Sequence, residues 1–457
     1  MASLVLAGGA AGCRTYHNQS AAMREAWIQG DFERAAQGYQ ARADGKDGRA
    51  DGVIWSLEAG ASLRAVGDYT NSNVEFARAA AQIEAYEQKA KVRVGNTLGA
   101  TLTTQQNLPY EGRSYDKIML HTYRALNYLA LGQVDAARPE IIRAYQRQQD
   151  AVAENARRIE AAREAEANNP HRPQIEAARN DPALAAQLEA LNRPPEGFQF
   201  YADYVNPFTV YLDGLYFRHA GAGGSDLERA RKSFARVIET AGGNPAVAAD
   251  LKECESAIGP RRDALTYVLL ENGQAASLNQ VRIDIPIIFA NVSYVGAAFP
   301  TLEYHPDRLA HLRLETAAGP VTTAPLASMD SVVAQEFRNE WPAILTRTLI
   351  SAVVKGAASY GIVSAARQQG DAAGLLAGIG TAILQAAVNV ADTRSWTTLP
   401  KEWQVARFPT PPDRVVVLRT PDGRTASVPL IDGVVNVVYV RAVTAVGPLK
   451  IGQFRLR

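Results

Sequence analysis

Four times before residue 260 the chain writes the same local pattern: an alanine-rich amphipathic run, a short turn, then a second such run. In AAMREAWIQGDFERAAQGYQARA the break is Gly30-Asp31, and Trp27, Phe32, Ala35, Ala36 and Tyr39 line one face. SLEAGASLRAVGDYTNSNVEFARAAAQIEAY breaks at Gly67-Asp68 and repeats the scheme with Leu63, Tyr69, Phe76 and Ala80. HTYRALNYLALGQVDAARPEIIRAYQRQ breaks at Gly132-Gln133, carrying Leu126, Leu129, Ala136, Ala137 and Tyr145. A fourth copy, PFTVYLDGLYFRHAGAGGSDLERARKSFARVIET, has a longer turn before Leu227, Ala230, Phe234 and Val237. Apolar residues at helical spacing on both sides of a glycine turn predict paired antiparallel helices. Alanine is required where the two axes approach, because a bulkier side chain would push them apart.

The turn and the small-then-aromatic pattern of the second helix resemble the tetratricopeptide repeat. The tryptophan signature of that repeat's first helix and its terminal proline are mostly absent, so the resemblance is to a degenerate array. It implies a stacked superhelix with a concave peptide-binding face over residues 20–150, with a further pair over 199–260. An irregular helical bundle is the alternative.

Between the third and fourth copies, residues 151–198 are rich in Ala, Glu, Arg and Gln and broken by Pro170, Pro173, Pro182, Pro194 and Pro195. This composition predicts an exposed charged helix followed by an extended, solvated linker. Loop 95–117 is long and polar for a helical region and ends in YEGRSYDK. Long loops of that kind tend to be functional. Tyr110, Arg113, Tyr115, Asp116 and Lys117 are therefore the candidate partner-binding residues, and capping of the helix stack is the alternative for the two tyrosines.

From Asp263 the period changes to that of strands, and residues 261–457 predict a β-rich domain. LTYVLLENGQ reads as a strand running into an Asn272-Gly273 hairpin turn. Further β-formers occupy 278–316 and 403–443. They flank a helical insertion, 329–392, built as a hairpin of two long helices. The economical arrangement is a β-sandwich or open barrel with that hairpin packed on it. The second arm, DAAGLLAGIGTAILQAAVNVAD, is apolar for about nineteen residues, close to membrane-spanning length. Its Thr381, Gln385 and Asn389 favour a buried hairpin. Just beyond it, Asp392, Arg394 and Trp396 form a dense polar cluster. Arg394 with Asp392 could hold a carboxylate or phosphate; capping of the second arm, with Trp396 and Trp403 packed inside, is the structural alternative.

Cys13 stands where an apolar, small-residue stretch, MASLVLAGGAAG, gives way at once to polar sequence. That is the layout of a lipoprotein processing site, with residues 1–19 as signal remnant and acylation site. Acyl chains on Cys13 would hold a soluble protein at a bilayer, at about 0.8 kcal/mol per buried CH₂. Cys254, the other of two cysteines, predicts a small buried packing residue. A net charge of +1 provides no basic field to recruit nucleic acid. No phosphate loop, dinucleotide fingerprint, nucleophile elbow or HExxH occurs. His305 and His311, the only close histidine pair, do not align on a regular helix, so no metal and no cofactor is expected.

YVLLENG (267–273), VRIDIPIIFANVSYVGAAFPTL (281–302), MDSVVAQEFRNEWPAILTRTLISAVVK (329–355) and ADTRSWTTLPKEWQVARFP (391–409) resemble a family of uncharacterised bacterial lipoproteins with tetratricopeptide-like repeats and a β-rich C-terminal domain. The resemblance implies a multidomain α + β architecture and a cell-envelope location, alongside regulators of peptidoglycan synthesis. Arg14 after the cysteine favours the outer membrane, facing the periplasm. The expectation is a non-enzymatic scaffold that binds an envelope protein through its repeats. Two alternatives stand beside it: an envelope hydrolase or glycan-binding enzyme with its site between the helical and β regions, and a structural subunit of an envelope assembly.

Overall fold

A computed structural model of the chain describes residues 15–45, 50–92, 108–196, 198–202, 204–256, 263–289, 292–316, 319–368 and 390–457. The expected acylation site at Cys13 and the second arm of the helical hairpin, up to residue 389, lie outside these residues. The fold is mixed α + β, with an N-terminal helical region and a C-terminal β region.

The helical region opens with α1 (Tyr16–Gln29), α2 (Phe32–Asp44), α3 (Gly52–Ala65), α4 (Tyr69–Val92), α5 (Ser114–Ala130) and α6 (Val134–Ala167). The glycine turns join them in pairs by one device. Gly30, Gly67 and Gly132 take left-handed backbone, φ +83, +87 and +73°, which side chains disfavour. The next residue then returns its N–H to the first helix: Asp31 to the Ala26 carbonyl, Asp68 to Leu63 and Gln133 to Tyr128, at 2.9, 3.0 and 2.8 Å. Asp31 and Asp68 go on to cap the second helix, accepting from the N–H of Arg34 and Asn71. The Gly-Asp dipeptide therefore ends one helix and starts the next. Inside the pairs, Gly60 faces Phe76 and Gly214 faces Phe234, each so closely that a Cβ would sit 2.6 Å from the ring.

Residues 151–198 depart from the solvated-linker expectation. α6 continues unbroken to Ala167, and the proline-bearing remainder forms α7 (Arg172–Arg179) and α8 (Pro182–Leu191). Pro173 and Pro182 occupy first-turn positions, where a missing N–H costs nothing because that donor has no intrahelical partner. Ile175, Ala178, Leu184 and Leu188 are buried. α9 (Pro207–His219), α10 (Gly224–Ala241) and α11 (Pro245–Ser256) complete the region.

The strands are β1 (Leu265–Asn272), β2 (Ser277–Phe289), β3 (Val292–Glu303), β4 (Arg313–Glu315), β5 (Val321–Thr322) and β6 (Ala324–Ser328), then β7 (Glu402–Pro409), β8 (Val415–Arg419), β9 (Thr425–Pro429), β10 (Val435–Ala442) and β11 (Leu449–Arg455). Between β6 and β7, among the described residues, runs the long helix α12 (Met329–Arg367). Among the described residues no helix is long and apolar enough to cross a membrane.

A five-stranded sheet of order β11-β10-β1-β7-β6 forms the centre, with a four-stranded sheet β5-β4-β8-β9 and a separate β2-β3 pair. The Asn272-Gly273 hairpin does not form. β1 pairs in parallel with β10 and antiparallel with β7, while β2 pairs with β3. β1 is buried at every position, as a central strand covered on both faces must be. Its Val268 and Leu270 meet Leu314, Val416 and Leu418 of the smaller sheet. Its Tyr267 and Leu269 join Trp55, Phe76 and Phe208 of the helices. One core thus runs without a break across the expected boundary at residue 260. A second core unites β2 and β3 with α7, α8 and α12.

Candidate functional site

The two polar clusters singled out in the sequence meet in space, and both are spent on the fold. At the start of α5 the Asp116 carboxylate accepts from the Tyr110 hydroxyl at 2.5 Å and the Arg113 N–H at 2.9 Å. Glu336 of α12 accepts from the N–H groups of Ser114 and Tyr115 at 2.6 and 2.9 Å. Arg113 reaches Glu340 at 2.8 Å. Lys117 bridges Glu87 and Glu154 at 2.7 and 2.8 Å. Tyr110, Tyr115, Asp116 and Lys117 are all buried. As a partner-binding surface this set is corrected: Tyr110, Tyr115, Asp116 and Lys117 are turned inward and, with the half-buried Arg113, close a joint between α4, α5, α6 and α12; residues 95–107 of the polar loop lie outside the described residues. Burial lifts the Asp116 carboxyl to about 6. Burial and then the neighbouring Glu340 lift Glu336 to about 8, against the pull of its backbone donors.

Arg394 completes the same joint. Its guanidinium grips both oxygens of Asp392 at 2.8 Å, reaches Asp51 and the Leu108 carbonyl at 2.9 Å, and lies 5.2 Å from the Tyr110 ring centre. That bidentate pairing uses the fork an incoming carboxylate or phosphate would need. Trp396 packs on Phe76 and Tyr123, with ring centres 5.8 and 5.7 Å away. Cys254 is buried, and burial pushes its thiol to about 11.

The residues that sequence reading missed are isolated charges in apolar runs. Glu58 and Arg64 are the charged residues of α3, and Glu271 and Arg441 sit in strands that are otherwise β-formers and small polar residues. Glu58 is fully buried and takes five hydrogen bonds: from Tyr16, and from the backbone N–H and hydroxyl of both Thr397 and Thr398, at 2.7–3.1 Å. The inner side of the helical layer therefore holds an irregular segment of the chain itself.

Arg64, by contrast, borders a cavity of about 150 Å³ where α1, α3 and α5 face β1, β10 and β11. Its guanidinium donates to Asn127 at 2.8 Å and lies 4.5, 5.4 and 5.8 Å from the ring centres of Tyr439, Tyr123 and Tyr69. Arg441, on the same wall, donates among the described residues to the carbonyls of Glu271, Gly273, Ala442 and Thr398. Among the described residues neither guanidinium has a carboxylate within ion-pair distance. Glu271 is the carboxylate of the wall and accepts from the Tyr123 hydroxyl. Burial and Glu271 push the Tyr123 and Tyr439 hydroxyls well up, so both keep their protons. Lys450 stands at the rim, paired with Glu33 at 2.9 Å. The cavity lies between the helical and β regions, where the enzyme alternative needs its site. Its wall brings one carboxylate, Glu271, where the mechanism of most glycoside hydrolases uses two.

The chain matches no family model, no curated protein and no solved structure.

Proposed function

We propose that this chain is a non-enzymatic scaffold of the bacterial cell envelope, lipid-anchored through Cys13 to the outer membrane and facing the periplasm. Its helical pairs are tetratricopeptide-like, and it serves to hold an envelope protein partner near the membrane. The observation that carries the reading is the grip of α3 on segment 397–398. A helical layer that seats irregular chain by carboxylate-to-backbone bonds has the chemistry of a peptide-docking surface. The recurring glycine turn, with the aromatic of one helix seated on a glycine of the other, supports the repeat-like description. Because the chain's own segment fills that inner side, the partner docks on the remaining surface. Tethering confines the protein to a thin layer and raises its effective concentration for the partner.

In-cell crosslinking followed by pulldown, comparing the wild type with Cys13→Ser, tests the proposal. The substitution should release the protein from membranes and abolish partner capture while circular dichroism stays unchanged. Continued membrane fractionation of the variant would refute the anchor, and unchanged capture would refute the tethering mechanism.

A further inference from the structure

We propose that the cavity between α3, β1 and β10 binds a small carboxylate carrying a hydrogen-bond donor beside its acid group, an α-hydroxy or α-amino acid. Three features of the wall select that class. The first is charge. Arg64 and Arg441 are more than nine-tenths buried, and their partners are amide and carbonyl oxygens and aromatic faces. The Glu271 carboxylate favours the Arg64 cation from across the wall, but among the described residues neither guanidinium has an oxyanion in contact. A guanidinium facing open volume is suited to a planar oxyanion.

The second feature is the carboxylate of Glu271 on the same wall. It opposes a second negative charge in so small a space, which disfavours phosphate. It also accepts a hydrogen bond, which suits a ligand whose hydroxyl or ammonium lies next to its carboxylate. The third is size and aromatic lining. About 150 Å³ accommodates a molecule near the size of benzene, roughly six non-hydrogen atoms. Trp27, buried on this wall beneath the Arg441 guanidinium, supplies an apolar aromatic face. The rim at Lys450 and Ile451 is partly exposed and gives the ligand a way in.

The test is calorimetric titration and thermal melting of the full chain with L-lactate, L-alanine, acetate and inorganic phosphate. Tryptophan fluorescence, compared between the wild type and Trp27→Phe, follows the cavity wall alongside. L-lactate or L-alanine should bind saturably and raise Tm, with acetate weaker and phosphate weaker still. Arg64→Gln should weaken binding about tenfold or more, the loss of one charge-assisted contact. Ala61→Leu fills the cavity from α3 and leaves every charge in place, so it should abolish binding while the unliganded fold melts normally. Should Arg64→Gln fail to fold, Ala61→Leu and the ligand series still decide. A folded wild type that binds neither acid, or binds phosphate more tightly, overturns the proposal. So does a folded Ala61→Leu that binds as the wild type does. None of these readouts depends on Cys13 or on a protein partner, so the cavity and the scaffold reading can fail separately.

Discussion

Helix α3 buries two charges of opposite sign, and their surroundings differ in kind. Glu58 is enclosed by hydroxyl and N–H donors that fill its lone pairs. Arg64 has an amide, three tyrosine faces and an open cavity. A buried charge with its full set of partners is part of the architecture, and replacing it dismantles what it holds. A buried charge beside open volume keeps capacity for something else. The same division separates the joint at α5, where Arg394 and Arg113 are locked to carboxylates, from the cavity wall, where the arginines are not.

The hardest blow to the closed side is Glu58→Ala. It strands five donors in the core, and removing one partner of a buried charged network costs about 3–5 kcal/mol. Urea denaturation should show that loss. A cost below about 1 kcal/mol would mean the two charges of α3 do not differ as described.

Glu336 sharpens the comparison through pH. Like Glu58 it bridges two consecutive backbone N–H groups, but it has Glu340 as a neighbour where Glu58 has hydroxyls. Its carboxyl holds its proton up to about 8 in the folded chain, against an ordinary 4.5. The folded state therefore binds the proton more tightly than the unfolded state. The resulting stability is fully present below about pH 4.5 and drains away as pH rises through 8. Glu336→Gln mimics the protonated form and should flatten this group's part of the pH–stability profile, a difference of a few kcal/mol across the window. A variant with the wild-type slope would show that the backbone donors keep Glu336 ionised.

Gly60 lies between the two charges, against the Phe76 ring that also supports Trp396. Gly60→Ala places a methyl 2.6 Å from that ring and should cost about 1–3 kcal/mol by overpacking. Gly67→Ala meets nothing within 4 Å but must hold φ +87°, costing about 1 kcal/mol. Equal costs would mean that Phe76 gives way freely, and that packing does not couple the closed site to the cavity.

Why some of this was legible in the sequence, and some not, follows from range. The Gly-Asp turns act within a handful of residues, so pattern alone identified the helix pairs. The strand period and the intervening helix α12 were visible for the same reason. Asn272-Gly273 misled because β1 pairs with β10, far along the chain, and no local signal reports a parallel partner. Pro173 and Pro182 look like breakers in a polar run, yet they begin helices. At the candidate site, YEGRSYDK and Asp392–Trp396 stood out because they are densely polar, yet density marked a crowded joint. The better signal was sparsity: Glu58, Arg64, Glu271 and Arg441, single charges in runs otherwise fit for a core. A charge in such a run must find buried partners or border a cavity, and these four do one or both.

The mildest substitution is the most discriminating for the open side. Lys450 sits at the cavity rim with its side chain about one-third exposed, pairing with a more exposed Glu33. Pairs of that exposure contribute little, so Lys450→Ala should change stability by no more than about 0.5 kcal/mol. Its nearness to the cavity still adds positive charge at the entrance, so the variant should lose carboxylate affinity and part of its salt dependence. A stability loss as large as that of Glu58→Ala would make the rim structural, and the contrast between a filled and an open charge on α3 would collapse. Unchanged stability with weakened acid binding is the outcome that only an occupied cavity produces.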